Sequence, residues 1–252
     1  MNKLSLLISL FFLSFSTIIT AFDGTLMSLQ SPSTLDKGMM VLGVQHRFYG
    51  PINDSENSSF LGLDSGANTH MMLRYVLHPR LDTWVQRIRR NKEVGLGLRY
   101  TQPFWRTEGL FLSSEYVTFE VDATTSNSSV ISNLGTQIYL GRRVLSTVNV
   151  VYDYYYDILG TGFGLEWIVD SSIHLTGEFY PSHQKSGDKS VILLGLKCKT
   201  FGHRFFIGIS NSTQIGLRAH PLGTSSDDWY LGFNMLRVFD TQDLLKQRSS
   251  TW

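Results

Sequence analysis

From about residue 38 onward, apolar side chains recur at every second position in runs of about nine to thirteen residues, and the runs are broken by Gly, Pro, Asn, Asp and Ser. Period two is the signature of a strand, because successive side chains point to opposite faces. Twelve strands are predicted, over 40–49, 66–77, 82–90, 93–102, 110–121, 133–142, 145–157, 161–170, 172–181, 189–200, 203–212 and 228–239. In the fourth, Val94, Leu96, Leu98 and Tyr100 alternate with Glu93, Gly95, Gly97 and Arg99. In the seventh, Val148, Val150, Tyr152, Tyr154 and Tyr156 oppose Thr147, Asn149 and Asp153. The eighth sets Phe163, Leu165, Trp167 and Val169 against Gly162, Gly164 and Glu166. One face is apolar and the other carries charge and glycine.

A soluble sandwich would show the same alternation with its apolar side inward. Three features favour an antiparallel transmembrane β-barrel. The runs match the roughly 9 to 11 residues that a tilted strand needs to cross lipid, Tyr and Trp sit near the ends of apolar stripes, and the polar stripes mix glycine with both signs of charge. An even strand number closes a barrel with both ends on one side. With the N-terminus in the periplasm, the longer connections at 50–65, 122–132, 182–188 and 213–227 face outward. Those at 78–81, 143–144, 170–171 and 201–202 are short and face inward. The connections at 91–92 and 158–160 are short for the outer side, and 103–109 is long for the inner one.

The first residues place the chain in a compartment. Met1-Asn2-Lys3, the apolar run from Leu4 to Ile19 and then Ala21 have the order of a secretory signal peptide, so residues 1–21 are expected to be removed on export. Beyond them no uninterrupted apolar stretch is long enough for a membrane helix. Residues 22–37, with Ser31-Pro32-Ser33, are expected to form a periplasmic lead-in or a short plug, 38–240 the barrel, and 241–252 a C-terminal tail. Lys and Arg number 22 against 21 Asp and Glu, a balance that argues against a nucleic-acid partner. The single Cys198 excludes an internal disulfide and a multi-thiolate metal site.

Four short stretches carry a resemblance. Val44-Gln45-His46-Arg47-Phe48 on the first strand is followed by Gly62-Leu63-Asp64, then by Lys199-Thr200-Phe201-Gly202-His203-Arg204-Phe205-Phe206 with Ile209-Ser210-Asn211-Ser212, and finally by Leu231-Gly232-Phe233-Asn234-Met235-Leu236-Arg237-Val238-Phe239. In order and spacing these resemble the motifs of the DUF5777 β-barrel proteins. Arg204, Phe206 and Leu236 depart from the family pattern. The resemblance implies a bacterial outer-membrane barrel and brings no settled substrate or activity. His46 and His203 share parity with apolar neighbours and are expected to face outward, near the headgroups or a partner protein. Arg237, on the face of Phe233 and Phe239, is expected to snorkel or to form a salt bridge at the rim.

If the apolar stripes face lipid, the lumen receives Gln45, Arg47, Arg74, Glu93, Arg99, Glu120, Asp153, Glu166, His174, Glu178, Lys197 and Arg204. Mixed charge can pair across a small lumen and fill it, or line a narrow, weakly selective channel. For catalysis, His46, His70, His174 and His203 are available, but there is no GxSxG elbow and no HExxH. His174 and Glu178, four apart on one strand face, are about 13 Å from each other and do not pair directly. The sequence therefore predicts no catalytic, cofactor or metal site. The leading expectation is a barrel for passage or binding of a small solute. The alternative is a closed barrel holding a partner at its loops or periplasmic rim, and an enzyme acting on membrane lipid comes third. Outer-membrane lipid and the barrel-assembly machinery are the partners implied, with the loops 50–65 and 213–227 the places for a further ligand or protein.

Overall fold

The computed structural model describes residues 26–53, 60–104, 107–183, 188–200 and 202–241. The expected signal peptide, 1–21, and all but the first residue of the C-terminal tail lie outside them. Twelve antiparallel strands form one closed barrel. They are β1 (Met39–Pro51), β2 (Ala67–His78), β3 (Leu81–Ile88), β4 (Glu93–Gln102), β5 (Thr107–Glu120), β6 (Ser126–Tyr139), β7 (Val144–Asp153), β8 (Ile158–Ile168), β9 (Ile173–Tyr180), β10 (Val191–Thr200), β11 (His203–Ser210) and β12 (Tyr230–Asp240). Each strand pairs with its neighbours in sequence, and β1 closes the ring against β12 in a register running from Met39 opposite Asp240 to Arg47 opposite Gly232. Closure leaves no open strand edge, which is the condition for a sheet to span lipid.

The two faces separate as the period-two pattern predicts. Leu96, Leu98, Leu112, Leu165 and Ile207 are exposed on the outside, whereas Glu93, Arg99, Glu166 and Lys197 are buried on the inside. An apolar belt of this kind would be a liability in water and is the surface that hydrocarbon requires. Short turns close several hairpins. At 121–125 the Asp122 carboxylate accepts the backbone N–H groups of Thr124 and Thr125, both at 2.9 Å. These bonds, led by the one from Thr124, hold its pKa below the ordinary aspartate value.

Strand β6 begins earlier than expected, because Ser126 to Ser129 pair with Glu120 to Val117 instead of forming a loop. Ser and Asn are read as turn residues, yet here their side chains serve the ladder's ends, with Ser129 Oγ donating to Asp153 at 2.6 Å. The long outward connection expected at 122–132 is therefore a tight turn. Similarly, β7 ends at Asp153, and Tyr154 and Tyr156 lie in the turn to β8. The longest connection, 211–229, folds back toward the barrel, burying Ile215, Arg218 and His220.

Close contact between strands shapes the wall near β10 and β11. A Cβ on Gly208 would stand 2.3 Å from the Leu194 carbonyl oxygen and 2.7 Å from Met27 Cε. Gly208→Leu is expected to lower folding stability by about 1–3 kcal/mol through overpacking, read as a lower urea midpoint for the heat-modifiable folded band. An unchanged midpoint would show that this wall has room the structure does not.

Candidate functional site

The lumen holds a segment of the chain itself. Residues 26–33 run inside the barrel, with Leu26, Met27, Leu29 and Ser31 almost fully buried. Leu26 and Leu29 close a turn through an N–H···O bond of 2.9 Å. The wall accommodates them where it lacks side chains. A Cβ on Gly162 would stand 2.5 Å from Leu29, one on Gly164 2.7 Å from Leu26, and one on Gly208 2.7 Å from Met27. The apolar end packs with Tyr180, Val191, Leu193 and Phe206 into one cluster.

Polar wall residues hold this segment by its backbone. The Glu178 Oε1 accepts the N–H groups of Met27 (2.5 Å), Ser28 (2.8 Å) and Leu29 (3.2 Å). Tyr180 donates its hydroxyl to the other oxygen at 3.1 Å. Asn149 brackets Gln30, accepting its N–H at 3.0 Å and donating to its carbonyl at 2.9 Å. Asn234 Nδ2 donates to the Met27 carbonyl at 2.6 Å, and its Oδ1 accepts from Arg47 Nη1 at 2.8 Å. Arg99 donates to the carbonyls of Ser31 (2.6 Å) and Ser33 (2.8 Å).

Three further groups of charges line the lumen. Asp82 accepts a bidentate pair from Arg74 at 2.7 and 2.8 Å and bonds of 3.1 Å from Arg99, so one carboxylate serves two buried guanidinium groups. Glu166 contacts His174 Nδ1 with one oxygen and Lys197 Nζ with the other, the latter at 2.7 Å. Arg218, brought in by the 211–229 connection, lies 3.4 Å from Glu93 and 3.7 Å from Asp153 and stacks over Phe119. Beside it, Gln86 links His70 to Glu115. Paired and hydrogen-bonded in this way, the charges tolerate burial.

Of the expected lumen residues, Gln45, Arg47, Arg74, Glu93, Arg99, Asp153, Glu166, His174, Glu178, Lys197 and Arg204 are buried on the inner face. Glu120, expected in the lumen, lies outside it. It shares the outward parity of Leu112 and Tyr116 and ends β5 at the rim, where the exposed Lys92 reaches it at 2.8 Å. Phe111, Val117 and Phe119 point inward on that strand while Leu110, Leu112 and Tyr116 point outward, so both its faces are apolar and the alternation misleads.

The family-motif residues divide between this plug, the turns and the outer face. Arg47 lies against Gly232, where a Cβ would come within 2.6 Å of its Cδ, and Asn234 joins Arg47 to the plug. Gly62, with φ of 77°, approaches the Gly50 backbone so closely that a Cβ would stand 2.0 Å from its carbonyl oxygen, fixing the turn before Asp64. Gly202, at φ of 69°, makes the β10–β11 turn. Asn211 extends the sheet with its side chain, accepting the Ile192 N–H at 2.8 Å and donating to the Ser190 carbonyl at 2.9 Å. The Ser212 hydroxyl caps the next turn by accepting the Gln214 N–H at 3.2 Å. His46 sits on the outer face against Phe233, ring centroids 4.5 Å apart. Arg237 donates to His203 Nε2 at 2.9 Å and lies over Phe239.

Sequence reasoning passed over Asp82, Gln86, Glu115, Arg218 and His220. The first three occupy inner positions of alternating strands and were accessible to the same parity count. Arg218 and His220 come from an irregular connection with no period to reveal them. His220 places Nε2 3.1 Å from Ser28 Oγ, joining the loop to the plug. Among the described residues no cluster of His, Cys, Asp and Glu has metal-binding geometry.

A family model for the membrane-bound β-barrel domain DUF5777 matches residues 22–239. No curated protein matches the sequence. Among solved structures, the outer membrane protein Omp33 of Acinetobacter baumannii is 11% identical at a TM-score of 0.45, over 82% of this chain and 100% of its own. Outer membrane phospholipase A from Escherichia coli is 12% identical at 0.46, over 81% and 93%. A mutant of the Rh. blastica porin is 10% identical at 0.39, over 81% and 74%. At these identities none bears on activity.

The Asp82 carboxylate pairs with Arg99 and joins it to Arg74. Asp82→Asn is expected to cost about 3–5 kcal/mol by removing the negative charge that two buried guanidinium groups share, measured by urea unfolding in lipid vesicles. A loss below about 1 kcal/mol would mean that water already solvates the pair.

Proposed function

Because the chain belongs to the DUF5777 family of membrane-bound β-barrel domains and carries its own residues inside the lumen, we propose that it acts as a closed outer-membrane barrel that engages a ligand or partner at its outer mouth. The observation that carries this reading is the double filling of the lumen. Residues 26–33 occupy it from one end of the chain, and Ile215, Arg218 and His220 enter from the 211–229 connection. A solute path through the barrel would have to separate Glu178 from three backbone amides and Arg218 from two carboxylates.

The outer mouth offers space instead. A cleft of about 410 Å³ lies between the 211–229 connection and neighbouring loops, lined by Arg90, Asp188, Ser212, Thr213, Thr224 and Tyr230 among others. Hydroxyl-to-backbone bonds such as Ser226 N–H to Thr224 Oγ1 (3.2 Å) and Asp228 N–H to Ser226 Oγ (3.0 Å) pre-form its rim. Loops held in one shape on a rigid scaffold are suited to binding. The reading contains no catalytic step and no cofactor.

Regulated passage of a small solute is the second reading. It is favoured by the polar nature of the wall, which would line a conduit if the plug withdrew. Planar-bilayer recording separates the two. The unaltered protein, its folding verified by heat-dependent gel mobility, is expected to give no discrete conductance steps, and Arg218→Ala alone is expected to leave it silent because residues 26–33 stay in place. Well-defined steps from the unaltered protein would overturn the closed-barrel reading.

A further inference from the structure

The contacts that retain residues 26–33 have an unusual distribution. Glu178, Asn149, Asn234 and Arg99 address N–H and C=O groups of the segment, while Ser113 and Asn133 make only long bonds of 3.3 and 3.5 Å to the Gln30 side-chain oxygen. Side-chain selectivity comes from the glycine-lined hollows at Gly162 and Gly164, filled by Leu26 and Leu29, and at Gly195 and Gly208, filled by Met27. Ser28, between them, has its side chain turned to His220. Backbone hydrogen bonds combined with pockets for particular side chains is the general arrangement by which proteins recognise peptides.

None of these contacts depends on the segment's covalent link to β1. We propose that the lumen wall around Glu178 is a peptide-binding site, occupied here by the chain's own Leu26-Met27-Ser28-Leu29 stretch, and able to take a separate peptide of the same pattern. The ligand class is a short peptide with apolar side chains at its first, second and fourth positions, a small residue at the third, and free backbone N–H groups at the second to fourth. Glu178 supplies the charge-assisted acceptor for those N–H groups, and Asn149 brackets the fifth residue. The tether then raises the local concentration of the resident segment to about millimolar, so that it behaves as a built-in competitor. This inference deepens the closed-barrel reading and rests on it.

The test uses the full chain in nanodiscs with the resident segment weakened by removing its pocket-filling side chains, Leu26→Gly, Met27→Ser and Leu29→Ser. A fluorescent peptide of the sequence of residues 26–34 is titrated and followed by anisotropy. Saturable binding is expected, with a scrambled peptide failing to bind and an added Glu178→Gln weakening binding by about tenfold, as loss of a charged acceptor should. No saturable binding, equal binding of the scrambled peptide, or indifference to Glu178→Gln would overturn the inference. If the triple variant does not fold, hydrogen exchange on the unaltered chain decides. The amides of 27–29 should then exchange together and well ahead of those of β8 and β9, whereas exchange as slow as the strands would overturn it. The bilayer recording of the unaltered chain reports on the closed lumen independently, so failure of the peptide site and failure of the closed-barrel reading give different results.

Discussion

The buried Glu178 carboxylate, covered by the N–H groups of Met27, Ser28 and Leu29, is the contact on which the rest of the lumen depends. An ionised carboxylate inside a barrel needs donors, and the wall's strand amides are already committed to the ladder. The incoming segment supplies three donors at one point. In return it receives an anchor that fixes where Leu26 and Leu29 meet the glycines of β8 and where Gln30 meets Asn149. The same constraint recurs around the ring. Arg99 finds its acceptors in Asp82 and the Ser31 and Ser33 carbonyls, and Arg218 reaches Glu93 and Asp153 from the opposite connection. Glu178, Arg99, Glu93 and Asp153 are thus met by chain that lies inside the wall, whereas Arg74–Asp82 and Lys197–Glu166 pair between strands.

This division of labour explains the composition of the strands. Outer positions carry Leu, Val, Ile and aromatic side chains because lipid offers no hydrogen bonds. Inner positions combine charges with glycines because the plug needs both acceptors and room. The motif residues Arg47, Gly232 and Asn234 stand where β1 and β12 close the barrel and also where the plug is grasped, so closure of the sheet and seating of the segment use one set of side chains.

The period-two pattern made twelve strands and most of the lumen legible, because parity assigns a face to every residue once one face is known. It failed where chemistry and parity disagree. Ser126 to Ser129 look like a turn but pair in β6, and Glu120 is a charged residue at an outward position beside Lys92. A plug at 22–37 was one of two expectations for that stretch, and the structure buries Leu26 to Ser31 in the lumen. What parity cannot reveal is which wall residues grip it. Glu178 and Asn149 are visible as polar inner residues, but their partners lie more than a hundred positions away and are backbone groups that no side-chain pattern records. Arg218 and His220 were hidden for a related reason, since an irregular connection has no face to count.

The central claim, that residues 26–33 sit inside the closed barrel against β8 and β9, is tested most directly by NMR in lipid nanodiscs with labelled methyl and aromatic groups. Leu29 and Tyr180 flank the same glycine, Gly162. The account predicts cross-peaks between the Leu29 methyls and the Tyr180 ring that persist at low protein concentration. A Leu29 methyl that shows no wall contact and responds fully to a soluble relaxation agent would place the segment in solvent and contradict the account.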